Sequence, residues 1–186
     1  ETPGERWDFD ATPPLMLATL KVNGADRDVL MQASKNGFFY VLDRTTGELL
    51  AADKFVDANW ATHVDLKTGR PEESPSADYT KGKPIIVFPS GVGGHNFNPM
   101  SLSARTGLVY IPAVHTGMAV LQAPPSPHLR ERMNSGVQIA FANQLTAPPE
   151  TLPPALRPVT SPSYLKTVPS LDMHASLKAW DPVAHK

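Results

Sequence analysis

Asp8 and Asp10 flank Phe9 in the run Trp7-Asp8-Phe9-Asp10. In extended chain both carboxylates would point to one face, roughly 7 Å apart at Cα from the rise of a strand. Such a pair can share a hard cation through its oxygens, or hold one carboxylate as a base beside a metal. Trp7 and Phe9 would supply an apolar wall. The same residues also read as an acidic loop near a chain end, and taken alone they favour that plainer reading. Lys35, in Ser34-Lys35-Asn36-Gly37, precedes an apolar strand and could donate to an anionic oxygen as a point charge. A solvated lysine before a turn is the simpler alternative. The run Gly91-Val92-Gly93-Gly94-His95-Asn96-Phe97-Asn98-Pro99 sets flexible backbone beside polar groups and an aromatic ring. It has neither Gly-Lys-Ser/Thr nor dinucleotide-loop spacing, so it is no phosphate loop. It could cradle a planar polar ligand, with an Asn donating and Phe97 stacking, or it could be a tight turn capped by side chains. His63, His115, His128, His174 and His185 are scattered without metal-ligand spacing, and no Gly-x-Ser-x-Gly elbow supports serine hydrolysis.

The elements that must position these residues read as β. Leu15–Val22 is a strand that stops at Asn23-Gly24, a hairpin signal, and Asp28–Ala33 returns. Gly37–Leu42 is aromatic and β-branched, the composition that fits a pleated surface, and Glu48–Ala52 runs back from it. The turn between them, Asp43-Arg44-Thr45-Thr46-Gly47, recurs as Asp65-Leu66-Lys67-Thr68-Gly69 and, degenerate, as Ser103-Ala104-Arg105-Thr106-Gly107. In such a turn Asp binds its own backbone and Gly takes the positive φ. The third copy separates Met100–Leu102 from Leu108–Pro112, another hairpin. A repeated strand–turn–strand unit suggests radially repeated antiparallel blades, though a plain meander of hairpins would show the same spacing. Residues 56–98 read mostly as loop, with one short strand at Pro84–Phe88. Irregular chain is expected over 123–170, with one helix around Val137–Leu145, and a last strand over Ala175–Trp180.

Bulk composition narrows the function classes. Of 186 residues, 41% are hydrophobic, enough for a core, and the net charge of −1 argues against phosphate-driven nucleic-acid binding. No Lys/Arg-rich run marks an anionic membrane surface, and no stretch of ~18 apolar residues would span one. With no cysteine there is no disulfide, Cys-ligated zinc or covalently attached haem within these residues. The chain opens on Glu1-Thr2-Pro3-Gly4-Glu5, without Met or signal-peptide pattern, and reads as a mature or truncated chain. Ten of the 20 prolines lie between Pro124 and Pro169, and because proline removes a donor and fixes φ, that stretch cannot be regular throughout.

The separate signals fall into one order. Pro3-Gly4-Glu5-Arg6-Trp7-Asp8-Phe9-Asp10 is followed by Lys35–Arg44, Asn59-Trp60-Ala61, Gly94-His95-Asn96-Phe97-Asn98-Pro99-Met100 and Thr106–Ala113. This resembles the pyrroloquinoline quinone (PQQ) dependent alcohol dehydrogenases, in particular their quinohaemoprotein ethanol dehydrogenase branch. The resemblance covers residues 1–113 and, through Leu177–Ala184, residues 175–186; the Pro-rich stretch between is matched loosely. It implies an all-β fold: a partial arc of an eight-bladed propeller of antiparallel four-stranded blades, carrying a long Pro-rich irregular segment. Residues 1–122 would be blade-forming strands and loops, 123–170 a Pro-rich insertion, and 171–186 the start of the next blade.

Carried over by position, Asp8 matches the family's catalytic Asp, Lys35 the basic residue at the quinone oxygens, and Asn96 an Asn that contacts PQQ. Phe97 stands where Trp is usual. It keeps an apolar contact and loses an indole donor. Asp8 and Asp10 become candidate metal ligands. Calcium-type members often carry a small or hydroxyl residue at the position of Asp10, lanthanide-dependent members carry Asp, and some calcium-type relatives carry Asp too, so both Ca2+ and a lanthanide ion stay open. The implied reaction is hydride transfer from a small alcohol to metal-bound PQQ, with electrons passed to a cytochrome c or a membrane quinone, in the periplasm. The family's other metal ligands and its adjacent-cysteine pair lie N-terminal to these residues. One arc of the wheel is therefore expected to need the rest of the propeller or a second chain, and to hold PQQ weakly alone. A non-catalytic propeller-like binding or assembly module, and a metal-dependent hydrolase using Asp8 and Asp10, are the alternatives.

Overall fold

The computed structural model describes residues 2–22, 24–123 and 136–186. Within them the strands are β1 Met16–Val22, β2 Ala25–Ala33, β3 Phe38–Asp43, β4 Leu49–Lys54, β5 Ala61–Val64, β6 Pro71–Glu73, β7 Ile85–Val87, β8 Ser101–Leu102, β9 Val109–His115, β10 Met118–Gln122, β11 Val137–Phe141 and β12 His174–Trp180. All paired strands are antiparallel. β1 to β4 form a four-stranded meander, β11-β10-β7 and β12-β9-β8 form three-stranded sheets, and β5 pairs with β6. His128 and Pro124, Pro125 and Pro127 of the Pro-rich stretch lie outside the described residues, as does Asn23 of the Asn23-Gly24 turn. Around that turn Val22 faces Ala25, so the connection is two residues long, with Gly24 at φ 81°.

β3 shows why the meander sits between the two three-stranded sheets. Strand residues alternate faces. Phe38 and Tyr40 pack with Trp7, Phe9, Trp60, Ile85, Val87, Met118 and Val120, toward β7 and β10. Phe39 and Val41 pack with Val29, Met31, Phe55, Val109, Ile111 and Trp180, toward β9 and β12. A strand buried on both faces reads as a continuous apolar run rather than an alternating one, and Phe38-Phe39-Tyr40-Val41 is such a run. The far face of the β7-β10-β11 sheet is covered by short turns of the Pro-rich segment, with Leu145, Leu152, Leu156 and Val159 buried against Ile86, Phe88, Ala119 and Leu121.

The repeated turn has one geometry in all three copies. Asp43 Oδ1 accepts from the Thr45 and Thr46 amides at 2.8 and 2.9 Å, and Asp65 Oδ1 from those of Lys67 and Thr68 at 2.7 and 3.0 Å. Ser103 Oγ accepts only from Thr106, at 3.3 Å. The glycines sit at φ 78°, 68° and 72°.

Two expectations need correction. The helix expected over Val137–Leu145 begins as strand β11, because Val137 to Phe141 pair with Gln122 to Met118; only Ala142–Leu145 is helical. The 56–98 stretch is less irregular than expected, since the second turn copy is flanked by β5 and β6, too short and too polar to show a β pattern.

Candidate active site

The segment carrying Asp8 is held by its neighbours. Trp7 and Phe9 are 2% exposed and pack against Trp60, with ring centroids 5.4 and 5.7 Å from its own. Trp7 Nε1 donates to the Ala77 carbonyl at 3.2 Å, Tyr79 donates its hydroxyl to the Arg6 carbonyl at 2.8 Å, and Arg6 pairs with Glu73 at 2.5 Å. One Glu5 carboxylate oxygen accepts from the amides of Trp7 and Phe9, at 2.5 and 2.8 Å. This cap encloses Asp8, whose φ is 71°. The backbone is therefore not extended at Asp8, as the spacing argument assumed, and the left-handed conformation is one that Asp tolerates better than most residues. With both neighbours turned into the core, the Asp8 side chain stays 77% exposed.

Lys35 approaches from the β2–β3 connection. That turn is closed by Ser34 N–H donating to the Phe38 carbonyl at 3.0 Å and Gly37 N–H to the Ser34 carbonyl at 3.1 Å. Asn36 pins it: its Oδ1 accepts from Phe38 N–H at 3.0 Å, its Nδ2 donates to Tyr40 Oη at 2.8 Å, and its carbonyl accepts from Trp60 Nε1 at 2.7 Å. The Lys35 side chain is 5% exposed, and its ammonium lies 2.5 Å from Asp10 Oδ1 and 3.3 Å from Asp8 Oδ2. Burying an ammonium is costly unless it is paired, and these carboxylates are its partners. The Lys35 hydrogen bond holds the Asp10 carboxyl below its ordinary range, against a smaller opposing effect of desolvation.

The glycine-rich loop closes the third side. Gly93 has φ 91°, and a Cβ there would stand 2.7 Å from Lys35 Cγ, so only glycine lets the loop lie on the Lys35 stem. Gly91 faces Asp8, with a Cβ reaching 3.3 Å from the Asp8 Cβ. Asn96 joins the cluster through Thr12, whose hydroxyl donates to Asn96 Oδ1 at 3.1 Å while its amide donates to the Asp10 carbonyl at 2.9 Å. Asn96 Nδ2 donates to the Val92 carbonyl at 2.8 Å. Phe97 is 75% exposed, its ring free to offer a face.

Asp8, Asp10, Lys35 and Asn96, some ninety residues apart at the extremes, thus meet at one open surface. A cavity of about 610 Å³, lined in part by Lys54, Asp57, His115 and His174, contains none of them. Two carboxylates make only part of an oxygen shell for a hard cation, and among the described residues no group of three or more His, Cys, Asp or Glu could hold a metal. The donor types fit an oxygen-loving ion as a partial set. The buried ammonium, the Asn amide, the glycine floor and the exposed ring fit a planar, anionic, carbonyl-bearing ligand. Sequence reasoning missed Glu5 and His95. Glu5 acts on backbone amides, which leave no pattern in side-chain types; His95 lies inside a motif that was singled out for its neighbours.

The family model for the PQQ-type glucose, ethanol and alcohol dehydrogenase β-propeller domain matches residues 4–54. A quinohemoprotein alcohol dehydrogenase, ADH IIB of Pseudomonas putida, is 42% identical over 185 residues, covering 100% of this chain and 23% of its own. The crystal structure of the quinohemoprotein alcohol dehydrogenase from Comamonas testosteroni superposes with a TM-score of 0.76 at 33% identity, over 100% of this chain and 25% of that one. A europium-containing methanol dehydrogenase gives 0.64 at 30% identity, over 73% and 23%. The chain therefore spans about a quarter of the length of the relatives it matches, and its sheets are a partial arc of the β-propeller that the family model describes.

Proposed function

The chain belongs to the quinoprotein, PQQ-dependent alcohol dehydrogenase family, and on that premise we propose that the Asp8–Asp10–Lys35 cluster is the proton-handling edge of a site that oxidises a small alcohol to an aldehyde. The observation that carries this reading is the convergence of two exposed carboxylates on one buried ammonium, over a glycine floor.

PQQ, when bound beside a Ca2+ or lanthanide ion, supplies the oxidant that takes up the hydride. Asp8 accepts the alcohol's hydroxyl proton at Oδ1, the oxygen that Lys35 does not hold. Its exposure gives the substrate access, and the Glu5 cap holds its backbone so that the carboxylate does not swing away. Lys35 offers a fixed positive charge to oxygens on which negative charge develops, and its small exposure makes that charge act through little water. Asp8 and Asp10 would contribute oxygens to the cation, completed by ligands outside these residues. Asn96 and Phe97 would bind and cover the cofactor ring. Cytochrome c or a membrane quinone as acceptor, the rest of the propeller or a second chain as structural partner, and a periplasmic location belong to the same proposal. They are supported by the family resemblance and, for the structural partner, by the unpaired outer edge of β12 among the described residues. No helix among those residues is long and apolar enough to cross a membrane.

The test uses the full-length protein carrying these residues, with PQQ, Ca2+ or a light lanthanide, ethanol and an artificial electron acceptor. Alcohol-dependent dye reduction that disappears in Asp8→Ala supports the reading. Absence of PQQ binding favours a non-catalytic assembly module. Metal-dependent ester or phosphoester cleavage without PQQ favours a hydrolase built on Asp8 and Asp10.

A further inference from the structure

His95 is a titratable side chain beside the cluster that the proposed chemistry does not use. It is wholly buried. Its Nδ1 lies 2.8 Å from the carbonyl oxygen of Ala33, the last residue of β2, and its Nε2 lies 2.7 Å from the carbonyl oxygen of Asn98. Ala33 is two residues before Lys35; Asn98 is two residues beyond Asn96. One planar ring therefore spans the two segments that carry the candidate cofactor contacts. The neutral ring donates to one of these carbonyls and the protonated ring to both. The backbone reinforces the link: Gly94 N–H donates to the Lys35 carbonyl at 2.9 Å, and the Gly94 carbonyl accepts from Val114 N–H at 2.8 Å. Gly93 lies against the Lys35 stem.

We propose that His95 is a positioning residue for the cofactor site, a rigid clasp that fixes the Lys35 ammonium relative to Asn96. The proposal rests on the reading of Lys35 and Asn96 as PQQ contacts. A flexible side chain at this position could satisfy a carbonyl without defining the distance between the two segments. An imidazole with a partner at each end defines it, and so removes motion that would otherwise be lost on binding.

The experiment compares parent, His95→Leu and His95→Gln full-length protein by PQQ titration and by amide hydrogen exchange. Leu keeps bulk and has no group to donate to either carbonyl; Gln keeps an amide donor. A tenfold change in Kd corresponds to ~1.4 kcal/mol, within the reach of one net hydrogen bond. The expected result is PQQ binding weaker by about tenfold in His95→Leu and by less in His95→Gln, with exchange faster at Gly94 and Val114 and unchanged along the β2–β3 ladder. His95→Leu that binds PQQ like the parent overturns the proposal. So does faster exchange spread equally over the ladder, which would mark an ordinary core residue, or equal losses in the two variants. A parent that binds no PQQ sinks the cofactor reading instead; faster exchange confined to Gly94 and Val114 in His95→Leu then still supports the clasp.

Discussion

Lys35 pairs with two carboxylates of which each is more than half exposed, so the pair is neither a surface ion pair nor a fully buried one. An exposed partner discounts the energy. Asp10→Ala is expected to cost on the order of 1 kcal/mol, with Asp8 left to pair the ammonium. Removing both leaves a buried charge unpaired, and the double variant should lose more than the sum of the singles; urea melts of the three variants measure it. Because Lys35 depresses the Asp10 carboxyl, this contribution is fully present above the ordinary carboxylate value of 3.8 and is lost as pH falls through the lower folded value. Lys35→Met should return the Asp10 titration, followed by NMR, to the ordinary range. Glu5 gives a separate test: Glu5→Gln keeps an acceptor for the Trp7 and Phe9 amides, Glu5→Ala does not. Steady-state assays should show kcat lost in Glu5→Ala and largely kept in Glu5→Gln. Asp8, Asp10 and Lys35 were legible in the sequence because charged side chains announce themselves. Their convergence was legible only through the ordered family blocks, since an i and i+2 spacing alone assumed an extended chain that φ 71° at Asp8 contradicts.

At the scale of elements, the Asp-x-x-Thr-Gly turn carries much of the local order. Asp43 accepts from two amides and from Arg27 at 2.8 Å, and the Arg27 hydrogen bond, with the two amides, lowers its carboxyl from 3.8 to about 2. Its stabilising effect is therefore full above 3.8 and fades as pH falls toward about 2. Asp43→Ala should flatten the acid-unfolding profile in that window, read by circular dichroism. Gly47 has open space around a Cβ but sits at φ 78°, so Gly47→Val should cost roughly 1–2 kcal/mol from conformation alone. The chain end holds a further copy that sequence reading did not find. Asp181 Oδ1 accepts from the Val183 and Ala184 amides at 2.9 and 2.8 Å, and His185 takes the positive φ of 61° where glycine stands elsewhere. Without Thr-Gly only the Asp of the pattern is left to match. The strands flanking the first and third turn copies were legible; β5 and β6, beside the second, are too short and polar, and β10 and β11 were missed because β10 pairs with remote β7 and β11 lies inside the Pro-rich stretch.

For the whole molecule, strand β3 of the meander is buried on both faces, as the inside of an interior blade must be, and Trp60 is the hub of one of those faces, wholly buried and edge-on to Phe38. Trp60→Ala should cost about 3–5 kcal/mol and loosen Trp7 and Phe9 with it. β12 pairs only with β9 among the described residues, and Leu177 on it is 69% exposed. An open edge beside apolar surface invites pairing. The isolated chain should self-associate in sedimentation experiments, and Leu177→Lys should reduce that association. Blade architecture was legible from the repeated turn together with the family blocks. The share of the propeller was legible only from relatives several times longer.

Asp8, Asp10 and Lys35 are proposed to serve alcohol oxidation with PQQ. The most direct measurement is the ethanol-dependent, PQQ-dependent rate of dye reduction by the full-length protein, with ordinary and 1,1-dideuterated ethanol. The expected result is a slower rate with the deuterated alcohol and loss of that rate in Asp8→Asn with PQQ still bound. A rate that survives Asp8→Asn unchanged, or that needs no PQQ, would contradict it.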